Sequence, residues 1–397
     1  MRRIDVAERR ARLGLRHGLA GAARLGSPAE VARHLVAVHS SDPSSVYVAM
    51  LARMSSGDTG SVERALYDDR VLLRALAMRR TVFVMTPDTA AVALAGAGRA
   101  VAERERRKLV TFLTEAGVPG DVGRWLAGAE EAALASLAAR GEATAAELAG
   151  DDPRLGMQLV LAPGTKWEGR QNVASRLLLV LAAEGLVVRG RPRGSWTSHQ
   201  YRWSALADWY PAGLDKWTAQ EAEAELARRW LAAYGPATAE DLRWWAGWTK
   251  TQLKRALAEV QPVEVDLDGA TGLVLADDLE PVAAPEPWAA LLPGLDSTPM
   301  GWHDRDWFLG EHGPRLFDRA GNVGPTLWWD GRVVGGWTQR SDGEIACRFL
   351  EDAGSEAVTA AEAAAQRLAA WIGDVRLTVR ARTRTPVEAE LAAGGGT

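Results

Sequence analysis

Cysteine is nearly absent from this chain of 397 residues, which contains Cys347 alone. A single cysteine forms no internal disulfide and offers no cysteine cluster for zinc. Long apolar runs are also missing, so the sequence predicts no membrane-spanning helix. The first residues, Met1–Asp5, carry charges with no apolar segment behind them, so we expect no secretory signal. We therefore expect a cytoplasmic protein.

An excess of positive charge is missing as well. The formal net charge of −4 excludes a uniformly basic coat for nucleic acid, although it permits local basic patches. Apolar residues make up 47% and charged residues 25%, which is typical of globular proteins. A chain of this length is expected to form about two to four domains.

The common signatures of phosphate-binding loops, zinc proteases and serine hydrolases do not occur. His303, Asp304 and Asp306 lie close in sequence, but Arg305 between the two acids favours an ion-pair network over a metal site. We therefore expect neither a metal ion nor a cofactor.

Three segments share a pattern that opens a helix, in which a small or hydroxyl residue precedes an acid in the first turn. They begin near Ser27, Thr144 and Thr238. Each is followed by another helix and then by two short strands. This order of elements predicts tandem winged helices, a fold that mainly grips duplex DNA. If so, the protein associates with the nucleoid.

The fold class that follows is α+β and mainly helical, with three tandem winged-helix domains and a C-terminal β-containing module. The third hairpin, Val263–Leu267 with 272–276, is acidic and should repel phosphate, so its domain is expected to be structural. A final strand is expected at 375–382. The predicted domains are residues 1–118, 119–215, 216–285 and 286–397.

Two hairpins carry the candidate DNA-binding residues. The segment 189–203 has four arginines and no acid, and its arginines can neutralise phosphates. Trp196 in this segment can wedge into a base stack, or it can fold back onto the protein at a solvated hairpin tip. The candidate DNA contacts of the two hairpins are Arg79, Arg80, Arg191, Arg193, Trp196 and Gln200.

The candidate for chemistry is the turn His39-Ser40-Ser41-Asp42-Pro43, which follows an apolar helix. A histidine, a hydroxyl and a carboxylate at this spacing can orient and deprotonate a water molecule. Structural roles explain the same residues: Asp42 before a proline can cap the next helix, and His39 can be a hydrogen-bonded histidine at a helix end.

The chain resembles a family of bacterial winged-helix DNA-binding-domain proteins. The resemblance rests on the turn after Val38, the strand Met78–Val84, the segment Arg189–Arg193 and the segment Leu295–Trp307. Characterised members of that family are the AlkZ-like and YcaQ-like DNA glycosylases, which remove alkylated bases and unhook crosslinks. Some protect the producers of DNA-alkylating natural products.

The resemblance implies three winged helices in a C-shape and a catalytic Gln-x-Gln or Gln-x-Asp motif. His39 and Ser41 occupy the two motif positions here, and Asp42 is retained beside them. The implied function is hydrolysis of the N-glycosidic bond of alkylated purines in double-stranded DNA by a monomer. A lyase route needs a Schiff-base lysine, and none precedes Lys108, so a monofunctional enzyme is implied. The alternatives are a non-catalytic DNA-binding regulator and an inactive relative that shields lesions.

Overall fold

The computed structural model describes residues 1–166, 168–377 and 382–394. The fold is mixed α/β, and about 49% of the chain is helical. The helices in the first half of the chain are α1 Val6–Arg16, α2 Pro28–His34, α3 Pro43–Leu51, α4 Thr59–Glu63, α5 Pro87–Ala93, α6 Arg99–Glu115, α7 Val122–Arg140, α8 Ala145–Asp151, α9 Pro153–Gly156 and α10 Val173–Ala183. The later helices are α11 Leu206–Trp209, α12 Ala219–Tyr234, α13 Ala239–Ala246, α14 Lys250–Val260, α15 Asp306–Leu309, α16 Gly313–Leu316, α17 Gly354–Ile372 and α18 Pro386–Ala392.

Short strands separate the helices and pair mainly as hairpins. They are β1 Arg2–Arg3, β2 Val38–His39, β3 Leu73–Leu76, β4 Val82–Met85, β5 Gln158–Leu161, β6 Gly169–Asn172, β7 Val187–Pro192 and β8 Tyr201–Ala205. The later strands are β9 Val263–Leu267, β10 Ala270–Val274, β11 Ala289–Leu292, β12 Thr326–Trp329, β13 Arg332–Gln339 and β14 Ile345–Phe349.

The three predicted helix openings are confirmed. Ser27 caps α2 by accepting from the backbone N–H of Glu30. Thr144 and Thr238 each form a reciprocal capping box, in which the acid three residues later bonds back to the cap. Such boxes satisfy backbone donors that a helix start otherwise leaves open.

The sheet that positions the candidate catalytic turn has the strand order β2-β4-β3. Strand β2 is only two residues long, and it pairs His39 with Phe83 of β4. Arg79 and Arg80 form the tip between β3 and β4, and both have left-handed φ angles, of 52° and 61°. Two positive φ angles suit the tight turn of a hairpin, although glycine and asparagine are more usual there.

The acidic hairpin differs from its prediction in two ways. The turn Asp268-Gly269 is confirmed, but β10 begins at Ala270 because the loop is only two residues long. Strand β1, which the sequence does not reveal, adds in parallel to β9. Arg3 then pairs with Asp268, so part of the acidic charge is neutralised within the protein.

Two large apolar clusters form the core. One contains residues of α3, α12 and β12, so it joins the first, third and last parts of the chain, and Trp230 and Trp328 are fully buried in it. The other lies under α6, α7 and α10 and includes Leu137 and Leu177. The candidate catalytic turn leads into α3 and is therefore held by the first core.

Helix α18 and the hairpin β5–β6 were not predicted. Helix α18 does have a local signal, because Thr385 and Glu388 form a capping box with Pro386 in the first turn. The strand expected at 375–382 falls partly outside the described residues, and residues 375–377 are not in a strand.

Candidate active site and nucleic-acid interface

The candidate catalytic turn runs from β2 into α3. Its first residue, His39, is 7% exposed and packs edge-on against Phe83, with 5.5 Å between the ring centroids. The backbone N–H of His39 donates to Ser297 Oγ at 2.9 Å. Its Nδ1 accepts from the backbone N–H of Ser41 at 3.4 Å, which is a long hydrogen bond.

Burial, with a smaller contribution from Arg79, lowers the pKa of His39 to about 3. The imidazole is therefore neutral at physiological pH, and such a weak base is poorly matched to proton abstraction there. The contacts favour a positioning role, in which His39 acts as an acceptor that orients Ser41. The alternative of a hydrogen-bonded histidine describes this geometry better than a general base does.

A stability measurement checks this assignment. The depressed pKa means that the unfolded chain takes up the proton first as the pH falls, so stability is full above about 6.5 and declines toward pH 3. His17 is buried with the same direction of shift, so His39→Gln should remove only one of the two contributions. Between pH 7.5 and 5, we expect the variant to lose about 1–2 kcal/mol less free energy of unfolding than the wild type. An equal loss in both proteins would mean that His39 is not buried as a neutral group.

Ser40 and Arg74 hold the middle of the turn. Ser40 is fully buried, and its Oγ accepts from Arg74 Nε at 3.0 Å. Arg74, on β3, also donates to the hydroxyl of Tyr67. Burial opposes the charge of Arg74, but Tyr67 and Tyr201 outweigh that effect and raise its pKa. Sequence reasoning missed Arg74 as a site residue, and its only signal is an arginine within an otherwise apolar strand.

Asp42 caps α3, as the structural alternative predicted. Its Oδ1 accepts from the backbone N–H of Ser44 at 3.0 Å and from Ser44 Oγ at 2.6 Å. Asp42 is 8% exposed and lines a narrow crevice together with Gly294 and Arg382. Burial raises the pKa of Tyr201, and the charge of Asp42 adds to that rise. Asp42 is therefore within electrostatic reach of the neighbouring Tyr201, although it does not line the same cavity.

The segment Pro293–Thr298 holds the turn and the start of α3 through side-chain hydrogen bonds. Ser297 Oγ donates to the carbonyl of Ala37 at 2.8 Å while it accepts from His39. Ser45 Oγ donates to the carbonyl of Gly294 at 2.6 Å. The contacts of Ser297 explain why the segment 295–307 belongs with the turn, a relation that the sequence alone does not show.

An open cavity of about 650 Å³ adjoins Ser41. Its wall combines the start of α8 with hairpin β7–β8, and its described lining contains no carboxylate. The site-forming side chains around it are Ser41, Arg189, Arg193, Gln200, Tyr201 and Trp203. A cavity with cationic and aromatic walls fits a nucleotide, because phosphate is anionic and bases stack on rings.

Of the predicted DNA contacts, Arg193 and Gln200 line this cavity. Gln200 is exposed, and its carbonyl accepts from the backbone N–H of Arg193 at 2.8 Å. Arg193 pairs with Glu147, and Arg191 pairs with Asp68 at 2.9 Å, so both arginines are partly neutralised in the free protein. Each keeps close to half of its side chain exposed and can exchange its carboxylate for phosphate.

Arg79 and Arg80 lie elsewhere, at the tip of the first hairpin. The Arg79 guanidinium stacks 3.9 Å above the ring of Trp244 on α13. Burial and the nearby Arg305 lower the pKa of Arg79 to about 10, so it remains a cation at neutral pH. Arg80 pairs with Glu105 at 2.9 Å.

Of the two alternatives for Trp196, the structure has the one in which the side chain folds back onto the protein. Trp196 is 8% exposed and packs against Tyr47 at 4.8 Å and Trp371 at 6.1 Å between ring centroids. The hairpin loop folds back so that the indole joins the main apolar core. Burial of a large aromatic surface favours this arrangement over exposure to water.

A model of the AlkZ-like DNA glycosylase family matches residues 32–371, which include the turn, the cavity and the supporting segment. The chain belongs to this family. Membership confirms the interpretation as a DNA repair glycosylase, a class of enzyme that hydrolyses N-glycosidic bonds. It favours this interpretation over the non-catalytic regulator.

Two further comparisons show what the chain is similar to. The interstrand DNA cross-link repair glycosylase of Streptomyces sahachiroi is 30% identical over 214 residues, which are 51% of this chain and 56% of that protein. The aligned region thus spans about half the length of this curated relative. The solved structure of the Streptomyces sahachiroi DNA glycosylase AlkZ matches with a TM-score of 0.72 at 24% identity, covering 95% of this chain and 99% of that one, and shows a shared fold.

Within the described ranges, no group of three or more His, Cys, Asp or Glu side chains is arranged to hold a metal ion in this AlkZ-like protein. Around the earlier candidate, the backbone N–H groups of His303 and Asp304 instead donate to Asp241 at 2.9 Å. None of the described helices combines the length and apolar character that crossing a membrane requires.

Proposed function

We propose that this chain hydrolyses the N-glycosidic bond of an alkylated purine in duplex DNA at the cavity beside Ser41. The observation that carries the proposal is the placement of the motif turn at a cavity walled by arginine and aromatic side chains. Ser41 occupies a family motif position and lines that cavity, and the adjoining Asp42 supplies a carboxylate.

The proposed chemistry needs little from the protein beyond position and charge. Alkylation at N7 or N3 makes the purine cationic, so the base departs neutral with the electrons of the glycosidic bond. The sugar passes through an oxocarbenium-like state, as in other glycoside hydrolysis. Ser41 Oγ orients the water that adds to C1′, and the proton of that water passes to solvent through the open cavity. The charge of Asp42, which borders the neighbouring crevice, stabilises the sugar cation through the turn. His39 holds the backbone of Ser41 in place.

The reaction is proposed to be monofunctional. The described lining of the cavity contains no lysine, so no amine is positioned there to form a Schiff base with the sugar. The product is then an intact strand with one abasic site.

For DNA binding, we propose that three winged helices surround one duplex in a C-shape. This arrangement suits a monomer that acts on a single damaged nucleotide. The cavity is open, so a bulky adduct or a crosslinked base can stay in the duplex without entering a closed pocket. The crosslink-repair relative supports this class of substrate. Protection against self-produced alkylating natural products is part of the proposal because the family resemblance implies it.

Base release from a defined duplex tests the proposal. The substrates are duplexes with one N7-methylguanine, one N3-methyladenine or one bulky N7 adduct, and hot alkali then cleaves the strand at any abasic site. We expect cleavage at the modified position only, and none before alkali. Tight binding to all three duplexes without an abasic site would favour a lesion-shielding protein instead.

The exposed arginines of hairpin β7–β8 are expected to contribute to affinity without sequence preference. Replacing Arg191 and Arg193 together with Ala should weaken binding to all duplexes. The slope of log K against log salt concentration should become shallower by about 1 for each lost phosphate contact. Titrations at several salt concentrations measure the slope. An unchanged slope would remove this hairpin from the DNA interface.

A further inference from the structure

Hairpin β7–β8 and its loop carry four arginines, and they differ in how their charge is balanced. Arg191, Arg193 and Arg202 pair with Asp68, Glu147 and Glu142, respectively. Arg189 has no carboxylate partner among the described residues, although it lines the cavity beside Ser41. A partly buried position of the hairpin thus holds the unneutralised charge.

Aromatic rings fix the guanidinium of Arg189. It lies 5.2 Å from the ring centroid of Tyr201 and 5.0 Å from that of Trp203. Its Nε is buried with no hydrogen-bond partner in the described part of the chain. Stacking orients a planar guanidinium and leaves its edge available for a bidentate ligand.

The surroundings increase the need for an anion. Arg74, itself without a carboxylate partner in the described ranges, lies over the same Tyr201 ring at 5.1 Å. Burial lowers the pKa of Arg189, and repulsion from Arg74 adds to the effect. Tyr201 is 8% exposed, and no described residue forms a hydrogen bond with its hydroxyl. Buried charges and hydroxyls without partners are costly, and functional sites are where proteins retain them.

We propose that Arg189, oriented by Tyr201, binds one phosphodiester group of the damaged strand next to the lesion. The inference rests on the proposed function, because Ser41 of the candidate catalytic turn lines the same cavity. Phosphate is the anion that DNA supplies, and a guanidinium fork matches two of its oxygens. Arg189 is therefore a positioning residue, which sets the register of the sugar against Ser41 and does not touch the reacting atoms.

Binding to an uncleavable duplex tests the subsite without requiring activity. The probe carries a tetrahydrofuran abasic analogue, and each flanking phosphate is replaced in turn by an uncharged methylphosphonate. With the wild type, one such replacement should weaken binding by about 10-fold. With Arg189→Gln, binding to the unmodified probe should fall by a similar factor, the salt slope should flatten by about 1, and the same replacement should cost nothing further.

Arg202→Gln is the matched control, because it removes one positive charge from the same hairpin at a position that is already paired with Glu142. It should leave the methylphosphonate effect intact. Arg189→Lys, which keeps the charge but loses the planar fork, should restore only part of the affinity that Arg189→Gln loses. Thermal unfolding confirms that each variant is folded.

Two outcomes separate the two proposals. If the wild type releases alkylated bases but the effects of Arg189→Gln and of every methylphosphonate simply multiply, the phosphate subsite is wrong and the glycosylase proposal stands. If the wild type releases no base while Arg189→Gln still abolishes one methylphosphonate effect, the phosphate contact stands and the proposed hydrolysis fails.

Discussion

Replacing Asp42 with Asn is expected to slow base release by about 100-fold or more while the protein stays folded. In the proposal, the charge of Asp42 acts on the sugar cation through the turn, and removing one such electrostatic group usually costs about 10² to 10³ in rate. Asn caps a helix about as well as Asp, so the bond from the backbone N–H of Ser44 is preserved. Single-turnover base release from a duplex with one alkylated purine measures the effect.

Ser44→Ala is the control for this prediction. It removes the hydroxyl that donates to Asp42 at 2.6 Å but leaves the charge in place. Release by this variant should stay within a few-fold of the wild type, and DNA affinity should be similar in all three proteins. Equal single-turnover rates for Asp42→Asn and the wild type would show that Asp42 only caps α3.

Replacing Arg53 with Met is expected to lower the free energy of unfolding by about 3–5 kcal/mol. Arg53 and Asp296 are both fully buried, and their Nη2 and Oδ1 atoms lie 2.7 Å apart. The guanidinium also donates to Thr298 Oγ1 at 2.7 Å and to the carbonyl of Ala49 at 2.7 Å. Removing the cation leaves the Asp296 carboxylate buried without its partner, which is the costly step.

The double variant Arg53→Met with Asp296→Leu tests the cause. Removing both charges should recover a large part of the lost stability, since no unpaired carboxylate remains. Denaturant unfolding of the two variants and the wild type gives the comparison. A free energy of unfolding for Arg53→Met within about 1 kcal/mol of the wild-type value would contradict the assignment of Arg53 to this role.

The same ion pair connects stability to the candidate site. Asp296 precedes Ser297, which bonds the backbone of His39, and both lie in the segment that supports the turn. Base release by the Arg53→Met variant should therefore be slower than by the wild type, even at temperatures where the variant is still folded. Measuring release well below the unfolding midpoint separates this displacement from simple loss of folded protein.

Interactions between near neighbours were the ones that the sequence could predict. The caps at Ser27, Thr144 and Thr238 depend on contacts within three residues, and all three form. The hairpin turn at Asp268 depends on two adjacent residues with suitable backbone freedom. The capping alternative for Asp42 is of the same kind, because the proline after it and the backbone N–H of Ser44 are local.

Contacts across long stretches of chain were not predictable from one sequence. Arg53 meets Asp296, and Arg74 reaches Ser40, through packing that only the assembled core defines. The basic hairpin shows the same limit: its arginines were evident, but the acids that pair with Arg191 and Arg193 come from distant helices and turns. For Trp196 the sequence left a wedge and a folded-back position open, and the distant apolar surface of Tyr47 and Trp371 buries it.

The candidate site combines both kinds of information. The family resemblance places His39 and Ser41 at motif positions, but only the fold separates their roles: His39 is buried and neutral, and Ser41 lines the cavity. Arg189 illustrates the difference most clearly, because its sequence context matches that of its neighbours and its missing carboxylate is a property of the folded chain alone.

The most direct measurement is mass-spectrometric detection of the free base from a duplex that contains one N7-methylguanine. The wild type should release N7-methylguanine stoichiometrically under single-turnover conditions, and borohydride should trap no covalent protein–DNA adduct. Absence of any free base from methylated and bulky-adduct duplexes that the protein binds tightly would contradict hydrolysis at the Ser41 cavity.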